Sequence, residues 1–124
     1  MKKRKGLSVF NILRKFQDII STIEVIKHEI EENQIRTYLK LELTDGSQLI
    51  IKDYKFIDNK RKYAYHWMDG DGNLRIRWDN TEHWKMISTF PHHKHVGNDE
   101  NVAASIETDI ESVLTCIRDH IRNK

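Results

Sequence analysis

The sequence predicts a single α+β domain, with an antiparallel sheet of about five meandering strands flanked by an N-terminal and a C-terminal helix. Apolar residues recur at helical spacing near both ends and alternate with polar residues through the middle. The alternating stretches are separated by Asp-Gly, Asp-Asn and Gly-rich turns. The 124 residues suffice for one core and not for two. Residues 1–124 are therefore read as one domain, opening on a basic, flexible tail at residues 1–7.

Ser8 is a helix N-cap candidate, and Val9, Ile12, Leu13, Phe16, Ile19, Ile20 and Ile23 follow at helical spacing. The first helix is expected from about residue 9 to about residue 21. Ile23 to Glu31 reads as a strand, because Ile26, His28 and Ile30 alternate with charged residues, although Val25-Ile26 breaks strict alternation and an extended helix is the alternative. Glu32 to Gln34 makes a polar turn. Thr37, Leu39, Leu41 and Leu43 then form a half-buried strand. Asp45-Gly46 predicts a type I′ hairpin turn, and the return strand runs from Gln48 to about Ile57.

After a turn at Asp58-Asn59-Lys60, Tyr63, Tyr65 and Trp67 alternate with Ala64, His66 and Met68. Asp69 to Asn73 closes a hairpin onto Leu74, Ile76 and Trp78, with Arg75 and Arg77 on the opposite face. Asn80 to Asn101 shows no period and is expected to be a long loop, anchored by Trp84, Met86, Ile87, Phe90 and Val96. Thr108-Asp109-Ile110-Glu111 fits a capping box. The apolar stripe Ile110, Val113, Leu114, Ile117 and Ile121 continues it as a helix from about 109 to about 123.

A net charge of +2 gives no general attraction for nucleic acid, although Lys2, Lys3, Arg4 and Lys5 concentrate charge at the start. No apolar run approaches the roughly 20 residues of a membrane span. Cys116 stands alone, so no intramolecular disulfide forms. The first residues lack the apolar core of a secretory signal, and the expected location is the cytoplasm.

The stretch from Tyr63 to Asn98 holds all three Trp, the only Pro and five of the seven His. His92, His93 and His95 fall within four residues, and in an extended segment His93 and His95 share a side. Two chemistries suit them. With a further ligand from Asp79, His83 or His92, His93 and His95 would hold a divalent metal such as zinc. Without metal or other cofactor, His93 and His95 would serve as base and acid in RNA cleavage. Arg75, Arg77 or Lys94 would then meet the phosphate, and Asp79 would orient a His. Tyr65 and Trp84 are candidates for stacking bases, whereas Trp67 and Trp78 read more readily as core. His66, His83 and His92 complete the candidate binding set. Asp69 to Asn73 lacks the spacing and closing Glu of an EF-hand loop.

Tyr63-Ala64-Tyr65-His66-Trp67-Met68-Asp69, Arg77-Trp78-Asp79-Asn80 and Phe90-Pro91-His92-His93-Lys94-His95 together resemble the TumE family of toxin–antitoxin proteins. The motifs occur in the family's order and spacing, and the match covers most of the chain. Two departures stand out. Met68 occupies a position where the family often has Gln, and Thr81-Glu82-His83-Trp84 stands where it tends to have Pro and a His pair. The resemblance implies a small prokaryotic toxin restrained by a cognate antitoxin. By analogy with other small α+β toxins, the expected target is RNA or the ribosome, and the need for an antitoxin to cover the site points to a complex or a homodimer. A non-catalytic RNA- or protein-binding module and a metal-dependent hydrolase are the alternatives.

Overall fold

The computed structural model describes residues 8–123, so the basic run at residues 1–7 lies outside the described residues. Within them, seven strands form one antiparallel sheet in which every strand pairs with its neighbour in sequence. The elements run α1 (Val9–Arg14), β1 (Ile20–Glu31), β2 (Gln34–Leu43), β3 (Gln48–Lys55), β4 (Arg61–Met68), β5 (Leu74–Asp79), β6 (His93–Val96), β7 (Val102–Ala104) and α2 (Ile110–Arg122). The α+β class is as expected, but the sheet has seven strands rather than about five. Both additional strands, β6 and β7, come from or follow the segment expected to be an aperiodic loop. At four and three residues they are too short to show a period.

The first helix ends sooner than its apolar spacing suggests. After Arg14 the backbone tightens into successive i→i+3 turns, Lys15 to Ile12, Phe16 to Leu13 and Ile19 to Phe16. These turns still deliver Phe16 and Ile19 to the core, and the chain enters β1 at Ile20. The strand reading of Ile23–Glu31 holds. The broken alternation has a physical cause, because the pairing of β1 with β2 shifts register between Val25 and Lys27.

The Asp45-Gly46 connection is a hairpin, but not of type I′. Gly46 alone has positive φ, at +87°, and its N–H donates to the Leu43 carbonyl while the Leu43 N–H donates to the Ser47 carbonyl. This is a three-residue loop, in which a turn is followed by one residue in the left-handed region. The connections at Asn59 (φ +67°) and Gly72 (φ +88°) repeat the same bonding pattern. The cap of α2 also differs from expectation. Asp109, rather than Thr108, accepts from the Ser112 N–H at 2.8 Å, and the Ser112 hydroxyl accepts from the Asp109 N–H. The box therefore lies one residue later and closes on Ser112 instead of Glu111.

One face of the sheet is the core. Leu39, Leu41 and Leu43 of β2, Leu49 and Ile51 of β3, Tyr65 and Trp67 of β4, and Trp78 of β5 meet Leu13 and Phe16 from the first helical region. Ile110, Val113, Leu114 and Ile117 of α2 close this layer. Trp67 and Trp78 stack with centroids 6.4 Å apart. Their indole N–H groups donate to Ser47 Oγ and Glu107 Oε1, so neither polar atom is stranded. Alternation sends the intervening residues to the other face, which no helix among the described residues covers.

Replacing Asp109 with Ala should lower unfolding stability by about 0.5–2 kcal/mol, whereas Thr108→Ala should leave the cap intact. Urea unfolding of both variants checks this, and equal losses would place the cap back at Thr108.

Candidate functional site

Antiparallel register assembles the site on the uncovered face. Partners across the sheet point the same way, so two rows form there. One runs through Lys52, Ala64, Asp79, His93 and Ala104, and the next through Ile50, His66, Arg77, His95 and Val102. Of the two alanines in the first row, Ala64 borders the cavity. Its missing bulk leaves a hollow between Lys52 and Asp79, part of a cavity of about 790 Å³. Lys62, Arg77, His83 and His95 bring further basic groups to that cavity, and Tyr54 and Trp84 bring rings.

Asp79, His93 and His95 converge below this cavity and are only 5%, 1% and 4% exposed. Asp79 Oδ1 is 2.9 Å from His93 Nε2, and Oδ2 is 3.5 Å from His95 Nε2. The far ring nitrogens are also engaged. His93 Nδ1 lies 3.0 Å from the Pro91 carbonyl and His95 Nδ1 lies 2.8 Å from the Asp99 carbonyl, both suited to an Nδ1–H donor. The Thr81 N–H and hydroxyl donate to Asp79 Oδ1 at 3.1 and 2.9 Å. Trp84 covers the histidines edge-on, its ring 6.3 Å from each. Arg77 reaches Asp79 Oδ2 at 3.5 Å and Asp99 at 2.8 Å, which holds its guanidinium at the rim.

Each residue of the Trp78-Asp79-Asn80 run has its own task. Trp78 fills the core and Asp79 faces the site. The Asn80 side chain accepts from the Tyr63 N–H and donates to the Arg61 carbonyl, extending the ladder past the end of β5. The chain beyond is a series of turns rather than a free loop. Thr89 pins it, accepting from the Ser105 N–H and donating to the His92 carbonyl.

Four expected contributors lie elsewhere. Lys94 alternates away from His93 and His95 and pairs with Glu107 at 3.3 Å on the helix-covered face. Arg75 pairs with Asp45 at 3.0 Å and lies over the Trp67 ring. Tyr65 is fully buried, donating to Asp53 and accepting from Arg61. His92 turns to the Tyr63 hydroxyl, 2.9 Å away. His66 lies beside Arg77 on the free face, and Trp84 and His83 line the cavity. Lys52, Tyr54, Lys62, Thr81 and Asp99 were missed by sequence reasoning. Lys52, Tyr54 and Lys62 had a signal, because they alternate with Ile51 and Tyr63 and so had to leave the core face.

Burial, with the Arg77 charge beside it, holds His66 below the usual imidazole value of 6.5, against a smaller upward pull from Asp99. Burial also depresses His92, helped by Arg61 and His93. Both groups bind fewer protons folded than unfolded. Their contribution to stability is complete above pH 6.5 and is lost as pH falls through their folded values. NMR titration should place both midpoints below 6.5, and Arg77→Gln should move the His66 midpoint upward. An unmoved His66 would remove Arg77 as a cause.

Among the described residues no helix is long and apolar enough to cross a membrane. No curated protein and no solved structure matches the chain significantly. Comparison with known families does match residues 9–122, nearly the whole described fold, to the family described as Toxin TumE. The sheet, the site on its free face and α2 all fall within that match, and the chain belongs to the TumE toxin family.

Proposed function

We propose that this toxin acts on RNA at the free-face cavity and cuts the phosphodiester backbone. The observation that carries this reading is the pairing of unneutralised cations with rings in one hollow. Lys52 and Lys62 make no ion pair among the described residues, and both line the cavity with Arg77, Tyr54 and Trp84. Phosphate meets the cations and an unstacked base meets the rings, the combination that single-stranded RNA selects. A cavity of about 790 Å³ has room for a nucleotide.

Cleavage needs an acceptor for the 2′-hydroxyl proton. His93 and His95 suit that work poorly in this geometry, because both ring nitrogens of each face protein groups. His83, exposed at the cavity wall, takes the role here. The 2′-oxygen then attacks phosphorus, the bond to the 5′-oxygen breaks, and Lys52 or Lys62 gives that oxygen its proton. Arg77, at the rim beside the Asp79–His93–His95 group, stabilises the phosphorane. A cognate antitoxin would silence the toxin by covering this face.

Purified, folded protein should convert single-stranded RNA to shorter fragments. Lys52→Gln combined with Lys62→Gln should slow this at least tenfold, with a shallower dependence on salt. RNA left intact by the folded wild type would overturn the cleavage reading. Retarded but intact RNA would instead identify a binding module of the same fold.

A further inference from the structure

We infer that Asp79, His93 and His95 form a binding site for one divalent transition-metal ion, with zinc as the first choice. Their ligand atoms all lie within 4.8 Å of one another and all three residues are buried. The separations of 2.9 and 3.5 Å from Asp79 suit atoms that share an ion at about 2.0–2.2 Å.

The hydrogen bonds point the same way. Each Nδ1 faces a backbone carbonyl, at Pro91 and Asp99, so the ring proton belongs there and the Nε2 lone pair is turned inward. Both lone pairs then face a carboxylate, which also offers only lone pairs. His93 Nε2 is buried and has no hydrogen-bond partner, since Asp79 at 2.9 Å lacks the alignment for one. Three inward-facing donors without a bridging cation repel one another. Charging both imidazoles would relieve this only by burying two more ions. One divalent ion satisfies all three groups at once.

The surroundings are those of a supported metal centre. Thr81 fixes the Asp79 carboxylate with two hydrogen bonds, and Trp84 shields the two rings. Asp79 and His95 border the cavity, so the ion keeps an open position for water or a phosphate oxygen. Two imidazoles with one carboxylate favour zinc or another late first-row ion over magnesium or calcium. Arg77 shares Asp79 Oδ2 at 3.5 Å, and its contact with Asp99 lets it yield that oxygen without losing its own partner. The ion's part in RNA cleavage rests on the function proposed above; its binding does not.

Calorimetric titration of untagged, chelator-treated full chain with zinc chloride tests the site. One equivalent should bind, and Asp79→Asn and His93→Gln should each weaken binding at least a hundredfold. His28→Gln and His120→Gln, away from the site, should leave affinity unchanged. Cobalt(II) chloride added to the wild type gives a second readout that needs no variant to fold: a visible absorption band of a low-symmetry nitrogen–oxygen site. Folded wild type that binds no stoichiometric zinc and gives no such band would overturn the proposal. So would affinity indifferent to both Asp79→Asn and His93→Gln. Zinc bound with RNA left intact would retain the metal site and remove the cleavage reading. RNA cut equally well by metal-free protein would remove the ion's role in that reaction while leaving its binding to be judged by titration.

Discussion

One buried carboxylate ties the free face together. Asp79 ends β5, faces His93 and His95 of β6, and accepts from Thr81 at the start of the turns that bring Trp84 over both rings. A buried negative charge is costly unless it is compensated; here Thr81 donates two hydrogen bonds to it and Arg77 of the same strand lies 3.5 Å away. The short strand β6, the turns after Asn80 and the rim Arg77 each bring a side chain to this one group.

The opposite face supplies the rigidity that this arrangement needs. Trp67 and Trp78 stack beneath the site, with both indole N–H groups satisfied, and α2 lays four buried aliphatic side chains against the sheet. Because β5 carries Trp78 inward and Asp79 outward in succession, core and site are coupled through adjacent residues. The face division also decides which cations are available. Lys94 and Arg75 are neutralised by Glu107 and Asp45, while Lys52 and Lys62 line the cavity and make no ion pair among the described residues.

Much of this was legible in the residues. Period-two patterning from Leu39 to Trp78 predicts the central strands and their core face, and the pairing of His93 with His95 follows from an extended segment. The same alternation should have removed Lys94 from the site, since a residue between two inward partners must point away. Other features had no local signal. β6 and β7 are held by pairing with neighbours rather than by their own pattern, and a bulge hides the period of β1. The joining of Asp79 to histidines 14 and 16 residues later depends on register across β5 and β6, a tertiary fact. The cap at Asp109 competes with an equally plausible one at Thr108, and only the backbone decides between them.

We propose that the toxic action resides in the free-face cavity. Ala64 is the residue whose small size opens it, and a ring there would fill the hollow without touching the core. Growth after induced expression of the wild type and of Ala64→Phe, at equal soluble abundance, tests the claim most directly. Arrest by the wild type and release from arrest by Ala64→Phe is the predicted result. Arrest undiminished by Ala64→Phe would place the toxic surface elsewhere and contradict the account.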